Sequence, residues 1–213
     1  MLQRLQDYER LTARTTDVEL GRVEDFLFDD KRWDIHHIVV NPGGLFGRAV
    51  LVSPFSILEP DWERSLLVTR PIDVSRPGAL HHWPPGRTWP EPVDELNGVG
   101  DAAVGAGLHT MISLRGIRVH AVDGDIGYAD DLIVDDGIWR ARYLVVDTSA
   151  WAQHSVLLPT QQIIRTDWLG CRAYLDASCA LIAGAPSYDP EGPLDHAAED
   201  AFARYYGLPQ RVI

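Results

Sequence analysis

The side chains of this chain that could do chemistry include six aspartates within fourteen residues: Asp123, Asp125, Asp130, Asp131, Asp135 and Asp136. Carboxylates at this density could hold Ca²⁺, but a calcium loop needs oxygen ligands at set positions, with Gly sixth and Glu twelfth. Counted from Asp123, the sixth residue is Tyr128 and the twelfth is Val134. The pattern therefore does not predict a metal site. Asp135-Asp136 and the similar pair Asp29-Asp30 are interpreted instead as turn-forming residues of hairpins.

Two histidine pairs, His36-His37 and His81-His82, could also suggest a metal. Adjacent residues of a strand point to opposite faces, so His36 and His37 cannot easily share one ion. The pair His81-His82 has no third ligand nearby in the sequence. We interpret both pairs as structural or solvated.

Motifs for nucleophilic catalysis or phosphate binding are absent from the sequence. There is no GxSxG, GxGxxG or GxxxxGK, and Ser53, Ser113 and Ser155 lie in no motif that positions a base. Residues 98–105 (GVGDAAVG) resemble a phosphate loop only superficially, because no strand precedes them and no Lys follows. The two cysteines, Cys171 and Cys179, are interpreted as ordinary thiols of a reducing compartment. The sequence predicts a protein that is not an enzyme and has no catalytic, cofactor-binding or metal-binding residues.

The amino-acid composition limits the classes of partner that the protein could bind. The 213 residues include 19 Lys+Arg and 31 Asp+Glu, which gives a net charge of -12, and 46% are hydrophobic. Such a chain can bury a core, but its charge argues against direct contact with nucleic acid or anionic lipid. The N-terminal stretch lacks the apolar run of a signal peptide, and no apolar run approaches the roughly 20 residues of a membrane span. We therefore expect a cytoplasmic protein whose partner presents a basic protein surface or is another copy of the chain.

An internal repeat organises the chain. Gly21 and Gly127 are 106 residues apart, as are Trp33 and Trp139, and this offset holds without a gap. Over residues 17–62, thirteen positions are identical to their counterparts, where average residue usage would give about three. The two tryptophans are interpreted as core or rim residues, with a ligand-stacking platform as the alternative.

Each copy is predicted to be β structure. Strands are predicted at 21–28, 33–40, 49–52, 57–62 and 66–68, and at 126–134, 139–146 and 155–158 in the second copy. Four to six short antiparallel strands in about 70 residues favour a small closed barrel, because closure removes exposed edges. The predicted organisation is a first barrel at 1–76, a linker at 77–107, a second barrel at 108–186 and a tail at 187–213.

The linker and the tail have different patterns. The linker is rich in Pro and Gly, and its Trp83 and Trp89 are expected to pack on a barrel surface. The tail predicts a helix over 196–206, with Asp195 as N-cap and Gly207 and Pro209 at its end. An apolar stripe on this helix predicts docking on the chain's own core, with a partner's groove as the alternative. The stripe consists of Ala198, Phe202, Tyr205 and Tyr206.

The second copy, AVDGDIGYADDLIVDDGIWRARYLVVDTSAW followed by VLLP, resembles the PRC-barrel family. That family is named after the cytoplasmic domain of the photosynthetic reaction centre H subunit, and its barrel also forms the C-terminal domain of the ribosome-maturation factor RimM. The first copy, TTDVELGRVEDFLFDDKRWDIHHIVVNPGGLFGRAVLVSP, and the tail LDHAAEDAFARYYGLP are similar to parts of tandem PRC-barrel proteins.

The resemblance implies a mainly β protein with two PRC-type barrels in tandem, acting as an interaction or assembly module. Its partner would be another protein or a second copy of the chain. Two alternatives remain open. One is a ribosome- or RNA-processing-linked factor, by analogy with RimM, and the other is a peripheral adaptor of a photosynthetic membrane complex.

Overall fold

The computed structural model describes residues 1–43, 49–70, 81–82, 107–148, 154–190, 192, 194 and 196–208. Within these residues the protein is mainly β, as predicted, with two sheets and a few short helices. Almost all of the predicted linker lies outside the described residues, including Trp83, Trp89 and the stretch 98–105. Asp195 and Pro209 lie outside them as well.

Among its described residues, the first repeat contains eight strands and one short helix. They are β1 (Leu2–Arg4), α1 (Leu5–Tyr8), β2 (Thr12–Arg14), β3 (Glu19–Asp29), β4 (Ile35–Asn41), β5 (Val50–Val52), β6 (Ile57–Asp61), β7 (Leu66–Thr69) and β8 (His81–His82). A single 3₁₀ turn, Pro54–Ser56, precedes β6.

The second repeat has counterparts of these elements in the same order, an additional short helix before its last strand, and a C-terminal helix. They are β9 (Leu108–Thr110), α2 (Met111–Leu114), β10 (Arg118–Ala121), β11 (Gly124–Asp135), β12 (Arg140–Asp147), β13 (Ser155–Pro159), β14 (Ile163–Asp167), β15 (Arg172–Leu175), α3 (Cys179–Ala183), β16 (Ser187–Tyr188) and α4 (His196–Tyr205). The 106-residue offset thus relates β1 to β9 and β8 to β16. Both pairs of strands lie outside residues 17–62, the stretch in which the sequence identities were found.

The two sheets have identical strand orders. One runs β6-β7-β2-β3-β4-β5-β8 and the other runs β14-β15-β10-β11-β12-β13-β16. The leading strands are exchanged, because β9 pairs with β3 and β1 pairs with β11. Accordingly, one compact unit consists of Arg4–Ser113 and Gly137–Arg140, which we call the first-repeat unit. The second-repeat unit consists of Met1–Gln3, Leu114–Asp136 and Ala141–Ile213.

Two details of the predicted barrels need correction. The expected all-antiparallel arrangement is wrong, since β2 lies parallel to β7 and β10 lies parallel to β15. Parallel neighbours need a long connection, and here the intervening strands of the same repeat supply it. The expected closure is also not found: in the described residues no pairing joins β6 to β8 or β14 to β16. Edge strands therefore remain.

The C-terminal helix packs on the core of the second-repeat unit. Phe202 is 2% exposed and lies in one apolar cluster. Its neighbours there are Leu2, Ile133, Tyr143, Val145, Leu157 and Tyr188, with Tyr206 and Leu208 packed against them. Gly207 ends the helix with a φ of 66°, a left-handed conformation that Gly adopts readily. The predicted docking of the helix stripe on the chain's own core is thus confirmed.

In the described part of the chain, none of the helices is both long and apolar enough to cross a bilayer.

Candidate interaction surfaces

The aspartates at the first hairpin stabilise its turn, as predicted. Oδ1 of Asp29 accepts hydrogen bonds from the backbone amides of Lys31 and Arg32, at 3.1 and 2.6 Å. Oδ2 of Asp29 lies 3.0 Å from Nε2 of His36. Burial raises the pKa of Asp29, but the Arg32 amide and the His36 ring outweigh burial and hold it below its ordinary value. These contacts use the carboxylate for structure.

Both repeated tryptophans are buried, which confirms their predicted packing role. Trp33 is 4% exposed and stacks on Phe28 with ring centroids 5.6 Å apart. Trp139 is 5% exposed and lies 5.4 Å from the ring of Tyr8 in the first-repeat unit. Their φ angles, 61° and 51°, are left-handed, which is unusual for a bulky residue. Trp33 directly follows the turn at residues 30–32, and Trp139 is the last residue of the turn at 136–139.

The aspartates of the second copy are dispersed over separate structural roles. Oδ1 of Asp123 accepts the amide of Cys179 at 2.7 Å. The carboxylate of Asp131 is buried and accepts the amide of Leu132 at 2.8 Å. Asp136 pairs with the N-terminal ammonium group of Met1. In the parts of the chain that the structure describes, no three His, Cys, Asp or Glu side chains are grouped to hold a metal ion.

The candidate nucleophiles also lie in structural surroundings. Burial and the neighbouring Asp123 carboxylate raise the pKa of Cys179, which disfavours the reactive thiolate. Cys171 is exposed in the turn between β14 and β15, with a φ of 50°. Oγ of Ser113 donates to the carbonyl of Thr110 at 2.8 Å. Ser113 and Cys179 therefore make structural contacts, and the Asp123 carboxylate stabilises the protonated thiol of Cys179 rather than activating it.

A buried carboxyl at Asp25 holds the start of α2 in the first-repeat unit. Asp25 is 1% exposed, and its Oδ1 accepts the amides of Phe26 and Met111 at 2.8 and 2.9 Å. Its Oδ2 is buried without a hydrogen-bond partner among the described residues. Burial raises the pKa of Asp25 to about 7, although the amide hydrogen bonds oppose this shift. Asp25 is thus a structural carboxyl that is readily protonated.

Because of Asp25, we expect the free energy of unfolding to fall as the pH rises from about 4 to about 7. In that window the folded protein keeps a proton on Asp25 that the unfolded chain has lost, so deprotonation favours unfolding. The expected loss is at most about 4 kcal/mol. Asp25→Asn imitates the protonated form and should remove this pH dependence. Urea denaturation at several pH values measures this dependence of the free energy of unfolding. The control variant Asp17→Asn, at an exposed residue, should show the same pH dependence as the parent. Equal pH slopes for the parent and Asp25→Asn would contradict the prediction.

A continuous row of charged and aromatic side chains crosses four strands of the second-repeat unit. We call this set the cation–aromatic row: Arg165, Tyr174, His120, Asp125, Arg118 and Tyr128. The strand register places His120 between Tyr174 and Asp125, and pairs Arg118 with Tyr128. The guanidinium carbon of Arg165 lies 3.9 Å from the centre of the Tyr174 ring. Nδ1 of His120 lies 2.6 Å from Oδ1 of Asp125.

The charged side chains of the row interact with one another and with its aromatic rings. Nη1 of Arg118 donates to Oδ2 of Asp125 at 3.1 Å, and its guanidinium carbon lies 5.7 Å from the centre of the Tyr128 ring. The hydrogen bond from His120, with help from Arg118, lowers the pKa of Asp125. The row thus contains two guanidinium groups and a single carboxylate, on a chain whose net charge is -12. This row is a local exception to the acidic character of the chain.

The first repeat carries a different surface at the equivalent position. Its counterparts of the row are Glu59, Val68, Arg14, Glu19, Thr12 and Arg22, none of them aromatic. Instead, a shallow groove of about 560 Å³ follows β6 and the turn after it. We call this the acidic groove, and it is lined by Leu58, Glu59, Pro60, Asp61, Trp62, Glu63 and Val68.

The acidic groove combines exposed apolar surface with carboxylates. Leu58 is 56% exposed and Trp62 is 41% exposed. The carboxylates of Glu59, Asp61 and Glu63 surround them, and Arg64 lies 3.6 Å from Asp61. Exposed large apolar side chains rimmed by polar groups commonly mark interaction sites. This arrangement suits a segment that brings both Lys or Arg and an apolar side chain.

Sequence reasoning identified neither surface, although its repeat alignment contained a signal for both. Glu59 and Arg165 occupy one position of the repeat, as do Pro60 and Thr166. Identities between the copies report the shared framework. Most residues of the two surfaces lie where the copies differ, although Asp61 and Trp62 of the acidic groove are identical to their counterparts. The strand register was also needed, because it brings Arg165 beside Tyr174 and His120 beside Asp125.

No family model matches this chain, and no curated protein matches it either.

Proposed function

We propose that this protein is a non-enzymatic tandem PRC-barrel protein that acts as an interaction or assembly module. The acidic groove of the first repeat is proposed to receive a basic, partly apolar segment of a partner protein. The exposure of Trp62 and Leu58 among three carboxylates is the observation that carries this proposal. The PRC-barrel assignment rests on the sequence resemblance of both copies. The two matching sheet orders support the duplication that such a tandem arrangement requires.

The distribution of differences between the repeats supports a binding role. Turn and core residues such as Asp29, Trp33 and their counterparts are shared, whereas Glu59 of β6 has the opposite charge to its counterpart Arg165 of β14. A duplicated enzyme would be expected to retain reacting groups in at least one copy. Here the divergent positions carry side chains suited to recognition, namely Arg and Tyr in the second copy and Glu in the first.

Charge reversal in the acidic groove tests the proposal. Affinity capture from the source cells, followed by quantitative mass spectrometry, should recover specific proteins with the parent chain. The variant Glu59→Lys/Glu63→Lys should lower their recovery at least about tenfold, because like charges then face the basic segment. The matched control is Asp17→Lys/Glu24→Lys, which makes the same change in net charge at exposed residues of the same repeat.

The control variant should recover the same proteins as the parent. If all three chains recover them equally, the acidic groove is not the binding surface. If the two Lys variants lose them equally, net charge alone is responsible and the groove proposal fails. Raising the salt concentration should weaken capture by the parent, because the attraction is between exposed charges.

A ribosome-linked factor is the second candidate function. The same groove favours it, because ribosomal proteins are basic and would offer the charge that Glu59, Asp61 and Glu63 require. Sedimentation with ribosomal particles at low salt distinguishes this candidate. Enrichment that is lost in Glu59→Lys/Glu63→Lys would support it, and absence of the parent chain from the particle fractions would exclude it.

A further inference from the structure

One sheet ends in the edge strand β6 and the other in the edge strand β14. The two strands differ in the features that block pairing with a further strand. In the described residues, β6 pairs only with β7 and β14 pairs only with β15. An edge strand leaves backbone N–H and C=O groups available to another strand, and proteins usually block this with Pro, charges or bulges. A bulge is present near the start of both strands. Only β6 also contains a proline, Pro60.

The proline identifies which backbone groups face the open edge. Pro60 lies opposite Leu67, and the equivalent Thr166 lies opposite Ala173. Proline within a strand is tolerated where the amide is not needed by the neighbouring strand. The amide of Thr166 therefore points away from β15, toward the open edge. Oγ1 of Thr166 is buried without a hydrogen-bond partner in the described structure, so its side chain does not tie the residue to its neighbours.

We propose that β14 pairs antiparallel with β14 of a second copy of this chain, about a twofold axis at Thr166. The N–H and C=O of Thr166 then bond to those of Thr166 in the second copy. Arg165 comes to lie opposite Asp167 of the second copy, and Asp167 opposite its Arg165. Opposite charges directly across an antiparallel pair are favourable, and a twofold axis forms each such pair twice.

The side chains at this edge are already arranged for such a contact. Arg165 is held on the ring of Tyr174 at 3.9 Å, which limits the freedom that its guanidinium would lose on pairing. The carboxylate of Asp167 is fixed by the amide of Gly170 at 2.9 Å. Ile164 is 64% exposed, and Trp168 of the second copy would lie across from it. The bulge at Ile164 keeps the regular part of the strand short, so we expect a dimer that dissociates on dilution.

The first repeat shows why β6 does not pair in the same way. About an axis at Pro60, two prolines would meet without an amide to donate. Glu59 would also face Asp61 of the second copy, which places like charges opposite each other. The pattern Arg-Thr-Asp of β14 is thus self-complementary, and the pattern Glu-Pro-Asp of β6 is self-repelling. This edge is separate from the acidic groove, so the two proposals can fail independently.

Sedimentation equilibrium over about a hundredfold range of concentration measures the association directly. The parent chain should pass from monomer to dimer. Thr166→Pro should raise the dimer dissociation constant at least about tenfold, because it removes a donor on each side of the axis. The sequence of β6 shows that this strand accepts proline at that position. The matched control Pro60→Thr should leave association unchanged, since Glu59 and Asp61 still repel.

Charge exchange across the axis supplies a second measurement that does not depend on Thr166→Pro folding. Arg165→Asp alone and Asp167→Arg alone should each be monomeric, because like charges then face each other. An equal mixture of the two variants should form a heterodimer, because each reversed charge meets its complement. Transplanting the pattern is the converse test: Glu59→Arg/Pro60→Thr, added to Thr166→Pro, should restore dimerisation through β6.

A parent chain that stays monomeric throughout would overturn the proposal. So would a Thr166→Pro protein that dimerises like the parent. Failure of the mixed charge variants to associate, although each unfolds cooperatively, would also overturn it. A dimer that survives all of these substitutions would place the self-association surface elsewhere.

Discussion

Gly127→Ala is expected to lower the free energy of unfolding by about 3 kcal/mol or more. A Cβ at residue 127 would lie 2.0 Å from the carbonyl oxygen of Asp147, and the backbone would have to move apart. The residue also has a φ of 152°, a conformation that is nearly restricted to Gly. Gly21 is its counterpart, with a φ of 124° and a Cβ position 2.1 Å from the carbonyl oxygen of Asn41.

Gly116→Ala is the matched control for this prediction. Gly116 also has a positive φ, 80°, but a Cβ there meets no atom within 4 Å. Its substitution should cost only about 1 kcal/mol, from backbone strain alone. Urea denaturation followed by circular dichroism compares the variants. Equal losses at residues 116 and 127 would show that strain, rather than close approach of the backbone, determines the effect.

Trp139→Ala is expected to cost about 3–5 kcal/mol of unfolding free energy. The indole is 5% exposed and packs against the ring of Tyr8, so its removal leaves a large cavity in the first-repeat unit. Trp139→Gly should be less harmful than Trp139→Ala by about 1 kcal/mol, which reverses their usual order. The reason is the left-handed φ of 51°, which Gly accepts without strain.

Phe55→Ala provides the comparison for the tryptophan, because Phe55 is 63% exposed. Its effect should remain within about 0.5 kcal/mol. Chemical denaturation followed by far-UV circular dichroism suits these variants, since it does not rely on the fluorescence of the residue removed. If Trp139→Ala costs no more than Phe55→Ala, the packing role of the repeated tryptophan is wrong.

The framework of this protein could be predicted because its determinants are local. A short run rich in aromatic and aliphatic residues indicated β3, and the Asp29 turn followed from residues that bond their own backbone. The end of α4 followed from Gly207 in the same way. A constant offset of 106 residues then transferred each of these features to the second copy.

The same reasoning did not predict features that depend on which strands pair with each other. The parallel pair of β10 and β15 joins residues more than fifty positions apart, and no local pattern distinguishes it from an antiparallel pair. The exchange of β1 and β9 is equally undetectable from the sequence, because both are three-residue strands in which only the leading Leu is apolar. Closure was predicted from the general cost of open edges, and that cost does not say which edges a given fold leaves open.

The surfaces proposed for function illustrate the division most clearly. The sequence alone shows that two copies of one β framework are present and which residues form its turns. The side-by-side placement of Arg165, Tyr174 and His120 is visible only in the folded structure, and so is the position of β6 and β14 at the sheet edges of the described residues. Turns and helix ends are set by neighbours in the chain, whereas rows and edges arise from the pairing of strands that are distant in the sequence.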